Sequence, residues 1–152
     1  MRKNLPVTGR EITLPPGAVI ISQTDRKGVI TAANGAFCSV SGYGREELVG
    51  QPHNIVRHPD MPPVVFEELW RSLKAGRPWR GIVKNRAKNG DHYWVEAFIT
   101  PVRKAGEITG YLSVRHPVSR SQIAEAERLY AKLWQGGRSS ASNLPWYQRL
   151  SI

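Results

Sequence analysis

The chain has 152 residues and a formal net charge of +10, with 40% hydrophobic and 22% charged residues. This length suits one domain with tails, and this composition excludes a globally disordered chain. No apolar run is long enough to cross a membrane, and a single cysteine, Cys38, excludes an internal disulfide and a cysteine-based zinc site. The basic residues are spread along the chain and never exceed two in a row, so we expect no nucleic-acid partner. The start of the chain has no signal-peptide pattern. Because the single cysteine fits a reducing setting, we expect a cytoplasmic location.

The first predicted elements are a β-hairpin and a short helix. Runs rich in β-branched residues over 18–24 and 29–32 flank a turn in which Gly28 suits a positive φ. Asn34 is a good N-cap for a helix over 35–41.

A second group of helices follows. One helical turn is predicted over 45–48, and two prolines make residues 51–60 irregular. Asp60 is a candidate N-cap for a longer helix that ends at Gly76. This helix carries a broad apolar stripe, which consists of Val65, Phe66, Leu69, Trp70 and Leu73.

Three strands close the domain. They are predicted over 79–86, 91–104 and 108–115, with a hairpin signal at Asn89-Gly90. The order of elements predicts an α+β fold, in which an antiparallel sheet carries the helices on one face. We divide the chain into an N-terminal arm (1–17), a domain (18–117), a helix (118–135) and a flexible basic and aromatic tail (136–152). The helix has an apolar set that needs a surface to cover, namely Ile123, Leu129, Leu133 and Trp134.

No catalytic motif is present, so an enzyme is the least expected class. A binding site is more promising, because a period of two places Gly81, Val83 and Asn85 on one face of the strand over 79–86. If Val83 faces the core, Asn85 does too, and a heterocycle with an amide-like edge would satisfy its side chain. Gly81 would leave space for a flat ligand. The alternative is an asparagine bonded to a neighbouring loop.

Aromatic and charged residues could complete such a pocket. Trp70 and Trp79 could stack on a planar ligand, although tryptophans at these positions are most often plain core. Together with Arg57, His58 and Asp60 they suggest a pocket with an aromatic wall and a cationic edge, where Arg57 could meet pyrophosphate or carbonyl oxygens. Alternatively, Arg57 and Asp60 tie down the loop and cap the helix.

Several segments resemble PAS sensor domains. The general PAS pattern is carried by residues 34–37, 41–43, 46–52 and 79–86. More narrowly, residues 53–62 (His-Asn-Ile-Val-Arg-His-Pro-Asp-Met-Pro) resemble the bacterial aerotaxis-receptor family.

The resemblance implies a five-stranded PAS fold that holds FAD non-covalently and senses redox state or oxygen. The positions that match the flavin-site pattern are Arg57, His58, Asp60, Trp79 and Asn85, and Asn34 matches the usual PAS asparagine. It also implies a homodimer, a HAMP and signalling domain downstream, and a place at the cytoplasmic face of a membrane. Blue-light flavin domains carry a cysteine where this chain has residues 50–53, so we expect no photochemical thiol adduct.

Two other functions stay open. One is a haem-binding PAS sensor, with His53, His58, His92 or His116 as the axial ligand. The other is a cofactor-free PAS domain used for dimerisation.

Overall fold

The computed structural model describes residues 4–136. Five strands and four α-helices follow one another in the predicted order, with a short 3-10 helix before the third α-helix. The elements are β1 (Ile20–Asp25), β2 (Ile30–Ala33), α1 (Gly35–Ser41), α2 (Arg45–Leu48), the 3-10 helix (His53–Val56), α3 (Pro63–Lys74), β3 (Trp79–Arg86), β4 (His92–Lys104), β5 (Glu107–Pro117) and α4 (Arg120–Gly136).

The strands form one antiparallel sheet in the order β2-β1-β5-β4-β3. The chain makes the β1–β2 hairpin first, crosses over through the short helices, and returns as the β3–β4–β5 meander at the other edge. Strands β1 and β5 meet in the centre of the sheet. The predicted α+β class with a five-stranded antiparallel sheet is therefore confirmed.

The register defines an inner face of the sheet. Val83 lies opposite Val95, Asn85 opposite Tyr93, and Ala97 opposite Arg115, so alternate residues of three strands face the same side. Helix α3 packs on this side through its apolar stripe, and the largest fully buried side chains include Trp79, Tyr93, Phe37 and Leu73. Most of the core thus lies between the inner face and the first three helices, and buried side chains of α4, such as Ala126 and Tyr130, extend it on the other face.

The start of α3 differs from the prediction. Pro62, not Asp60, is the N-cap residue, and the helix begins at Pro63. The Asp60 carboxylate instead accepts a hydrogen bond from Lys84 Nζ at 2.8 Å. The Asp60 carboxylate, which the sequence suggested as the N-cap of α3, therefore forms a salt bridge to β3 instead.

Helix α4 lies behind the sheet, at its β3 edge. Tyr130 donates its hydroxyl to the carbonyl of Ile82, and Trp134 Nε1 donates to the carbonyl of Asp60 at 2.7 Å. Ile123 and Leu133 are buried as predicted, while Trp134 is 51% exposed. Within residues 4–136, no helix is long and apolar enough to cross a membrane.

The N-terminal arm docks on the β3–β4 hairpin. The amide of Thr8 donates to the carbonyl of Gly90 at 3.0 Å, and that of Ile12 to the carbonyl of His92 at 2.7 Å. The basic and aromatic tail, with Trp146, Tyr147 and Arg149, lies outside the described residues.

Candidate functional site: a cavity between the sheet and α3

A cavity of about 670 Å³ lies between the inner face of the sheet and α3. This volume is typical of sites for small molecules and cofactors. The loop around the 3-10 helix and the β1–β2 turn complete its walls. Of the predicted site residues, the cavity brings together Arg57, Trp70 and Asn85.

A buried cation sits in the cavity wall on β5. Arg115 is 2% exposed, and its Nη2 donates to Ser22 Oγ at 2.8 Å while its Nη1 lies 3.0 Å from His53 Nε2. Its guanidinium also lies over the ring of Phe37, 4.5 Å from the centroid. Burial lowers the pKa of Arg115 to about 10, so the group stays cationic at neutral pH.

The charge of Arg115 is not neutralised by a carboxylate within residues 4–136. Its Nε is buried and has no hydrogen-bond partner in the same part of the chain. Since a buried charge is costly unless it is paired and hydrogen-bonded, this arrangement is suited to a ligand that brings an acceptor.

His53 is the neutral partner of that cation. Burial and the charge of Arg115 lower the pKa of His53 to about 3. Because a guanidinium can only donate, Nε2 of His53 is its acceptor, so the neutral ring carries its hydrogen on Nδ1. The imidazole is also stacked on Phe37, with 5.6 Å between ring centroids. His53 therefore orients Arg115 without changing its charge.

Asn85 and Arg57 form the next part of the wall. Asn85 is 5% exposed on the inner face of β3, as its position in the strand predicts. Arg57 forms a backbone bridge to Asn85, and its guanidinium lies 3.6 Å from the centroid of the Phe66 ring. Burial lowers the pKa of Arg57, and its buried Nε has no hydrogen-bond partner among the residues described. The amide of Asn85 and the guanidinium of Arg57 thus make this part of the wall suited to a polar edge of a ligand.

Trp70 supplies an aromatic wall near the β1–β2 turn. Its indole meets Tyr111 edge-on, with 5.5 Å between centroids. Gly28 has a φ of +85°, and a Cβ there would lie 3.2 Å from the indole, so glycine permits this close approach. Lys27, Lys74 and Glu67 line the cavity beside Trp70. This part of the cavity carries more positive than negative side chains.

Four predicted site residues lie outside the cavity lining, and two of them hold the fold. Asn34 caps α1, where its Oδ1 accepts from the amide of Phe37 at 3.0 Å. The indole of Trp79 is buried and folds over Gly81, where it fills the space that we expected for a flat ligand.

The other two stabilise the loop that follows Arg57. The ring of His58 is buried, and its Nδ1 accepts from the amide of Asp60 at 3.0 Å. Burial, aided by the charge of Lys84, lowers the pKa of His58. Asp60 pairs with Lys84 on the back of β3. The expected cationic edge of Arg57, His58 and Asp60 is therefore reduced to Arg57.

Sequence reasoning missed Arg115, Ser22 and His53 as a group. A signal existed for Arg115, because it alternates with Tyr111 and Ser113 on β5 and so shares their face. Of the four histidines considered for haem, the cavity is lined by His53 but not by His58, His92 or His116.

Comparison with known proteins agrees with this architecture. Residues 30–115 match the sequence model of the PAS fold family. The chain is 50% identical over 134 residues to the aerotaxis receptor of Escherichia coli K12, and 37% identical over 109 residues to the nitrogen fixation regulatory protein of Klebsiella pneumoniae. These matches cover 88% and 71% of this chain, but 26% and 22% of the two relatives. The chain thus spans about a quarter of the length of these relatives.

Solved structures share the fold at low sequence identity. The light-state structure of the blue-light photoreceptor Aureochrome1 LOV superposes with a TM-score of 0.64 at 19% identity, covering 76% of this chain and 91% of that one. A light-oxygen-voltage domain studied with a flavin analogue gives 0.61 at 24% identity, with coverages of 78% and 86%. The similarity to a receptor agrees with the expected non-enzymatic, signalling role. The chain belongs to the PAS family, and its domain is a PAS sensor of the aerotaxis-receptor type.

Proposed function

We propose that this domain binds FAD in the cavity and senses the redox state of the flavin, as the input domain of an aerotaxis receptor. The observation that carries the proposal is the buried guanidinium of Arg115, whose Nε has no hydrogen-bond partner and whose charge meets no carboxylate within residues 4–136, in a cavity wall that also holds Asn85. A bound flavin would supply the electron acceptor. The protein side chains would bind it, orient it and adjust its potential.

The donor set fits the polar edge of an isoalloxazine ring. Asn85 offers both a donor and an acceptor, which suits an edge where ring nitrogens alternate with carbonyl oxygens. Arg115 only donates, and it carries a full charge in a buried place. A preorganised cation of this kind favours the form of a ligand in which negative charge has built up. The site therefore suits a ring that gains electrons.

The part of the cavity beside Trp70 supports the dinucleotide over a bare flavin. Lys27 and Lys74 line it next to an indole. Ammonium groups suit phosphates, and indoles stack on planar rings such as adenine. FAD has both groups, whereas riboflavin has neither.

Haem and a photochemical flavin adduct receive less support. His53 lines the cavity, but its Nε2 is bonded to the Arg115 cation and lies 2.8 Å from Ser22 Oγ. Cys38 is on α1 and does not line the cavity, so no described cysteine could form an adduct there. The similarity to the light-oxygen-voltage domains therefore supports a common fold and does not support a cysteine adduct in this chain.

The output would pass through α4 to domains that follow in the full receptor. We propose that α4 docks differently in the oxidised and reduced states, that the domain works as a homodimer at the cytoplasmic face of a membrane, and that a HAMP and signalling domain receives the change. Hydrogen exchange over 120–135, measured with the flavin oxidised and then reduced, tests the first of these proposals. Identical protection would refute a redox-dependent α4.

A visible spectrum of the purified chain, followed by chromatography of the released cofactor, tests the central proposal. We expect flavin bands and FAD. A haem Soret band, or no chromophore together with no uptake of added FAD, would refute it. An Arg115→Met variant that matches the wild-type chain both in its affinity for FAD and in the potential of the bound flavin would show that the ring lies elsewhere.

A further inference from the structure

The buried side chain of Asn4, near the start of the arm, places its NH₂ group within hydrogen-bond distance of three backbone carbonyls. Its Nδ2 lies 3.0 Å from the carbonyl oxygen of Asn54, 3.2 Å from that of Ile55 and 2.8 Å from that of Arg57. Asn4 is 8% exposed, so water does not replace this donor easily. Three oxygens therefore converge on one NH₂ group.

These carbonyls lie at the end of the 3-10 helix, in the loop that completes a cavity wall. The carbonyl of Asn54 also accepts from the amide of Arg57 at 3.0 Å. The last carbonyls of a helix in general need donors from outside the helix. Without the amide of Asn4, the three carbonyl oxygens would lose their shared donor in a place that is at least partly buried, which costs free energy. The position of the Arg57 backbone therefore depends on Asn4.

The arm that carries Asn4 is also held on the β3–β4 hairpin by contacts that do not involve Asn4. The carbonyl of Pro6 accepts from Arg86 Nε at 2.8 Å, and the amide of Ile12 donates to the carbonyl of His92 at 2.7 Å. Arg86 and His92 are a register pair at the end of the β3–β4 hairpin. Asn4 thus ties the loop before Arg57 to the hairpin whose β3 strand carries Asn85.

We propose that Asn4 is a positioning residue for the ligand cavity: it clamps residues 54–57 against the hairpin, so that Arg57 stays in the wall and the ligand is retained. The identity of the ligand rests on the function proposed above. The clamp itself does not, because it is a property of the protein without ligand.

The first test measures amide hydrogen exchange in the full chain without flavin. The amides of Ile55 and Arg57 report on the segment, since each donates within it, to Pro52 and Asn54 at 3.0 Å. Asn4→Asp keeps the shape and turns the donor into an acceptor. We expect these two amides to exchange about ten-fold faster or more, with β4 and β5 unchanged. Asn4→Ala should act in the same direction and serves if Asn4→Asp does not fold.

Two control variants separate the clamp from general effects. Leu5→Ala alters a neighbouring side chain that is 66% exposed. Gln23→Glu makes the same change in net charge at an exposed site on β1. Neither should change exchange over residues 54–57. Unchanged exchange in a folded Asn4 variant, or faster exchange spread equally over the sheet, would overturn the proposal.

The second test measures the release of bound FAD from the same variants. We expect faster release from the Asn4 variants and an unchanged flavin absorption spectrum, because the ring contacts on the sheet remain. Release at the wild-type rate would overturn the role in retention. A wild-type chain that binds no flavin would refute the proposed function, while the exchange measurement would still decide for or against the clamp.

Discussion

Replacing Arg115 by methionine should make the bound flavin harder to reduce. Two elementary charges about 4 Å apart interact by about 4 kcal/mol at an effective dielectric constant of 20. Arg115 is buried, and no carboxylate in residues 4–136 neutralises its charge. Its cation would therefore act with little screening on negative charge that develops beside it.

The expected shift follows from that energy. For a one-electron couple, about 59 mV corresponds to a tenfold change in the equilibrium constant, or about 1.4 kcal/mol. A loss of about 4 kcal/mol would lower the potential by about 170 mV. Since the side chains around the ring can reorganise, we expect a fall on the order of 100 mV.

Potentiometric titration of the Arg115→Met holoprotein, followed by its flavin spectrum, checks this expectation. Arg120→Met is a matched control, because that guanidinium is 72% exposed and pairs with Glu11. Its removal should leave the potential nearly unchanged. A potential that is the same in both variants and in the wild-type chain would show that Arg115 does not face the redox-active ring.

Three further predictions concern stability and specificity. The pKa of His53 is about 3 in the folded chain and near 6.5 when unfolded, so the unfolded state binds more protons between these values. The free energy of unfolding should fall by up to about 1.4 kcal/mol per pH unit as the pH drops below 6.5. Denaturant titrations at several pH values should show a shallower fall for His53→Gln than for the wild-type chain. Gly81→Ala places a Cβ against the Trp79 ring and should destabilise by about 1–3 kcal/mol, whereas thermal melts of Gly35→Ala, which has open space, should show no loss. Lys27→Gln and Lys74→Gln should weaken FAD about tenfold each by calorimetry and leave riboflavin unaffected, and an equal loss for both ligands would contradict a phosphate role.

Local patterns predicted the elements well, because short-range chemistry decides them. The bounds of α1, α2 and β3 agree with the structure, and Asn34 caps α1 as expected. The inner face of β3 also followed from the period of two, which placed Asn85 in the cavity wall. The orientation of the Trp79 ring could not be predicted from this period. Its indole bends over Gly81 instead of lining the cavity.

The charged centre of the cavity could not be assembled from local patterns. Arg115 is separated by 62 residues from His53 and by 93 residues from Ser22, and these contacts exist only because β1 and β5 pair in the middle of the sheet. An arginine on a strand is ordinarily solvent-exposed. Alternation with Tyr111 and Ser113 indicates the face on which Arg115 lies, but only the register of β5 against β1 places it beside Ser22.

The cavity and α4 share two elements, which makes a short route between them. On β3, Val83 and Asn85 face the cavity, while Lys84 borders the groove beneath α4. In the loop between the 3-10 helix and α3, Arg57 lines the cavity, and the backbone carbonyl of Asp60 accepts the hydrogen bond from Trp134. Each neutral hydrogen bond that holds α4 contributes about 1 kcal/mol, and Trp134 is half-exposed. A charge change in the cavity worth a few kcal/mol therefore exceeds each of these hydrogen bonds. Through a movement of β3 or of this loop it would shift the population in which the C-terminal end of α4 is docked, while the buried side chains of Ile123 and Leu133 hold the rest of the helix.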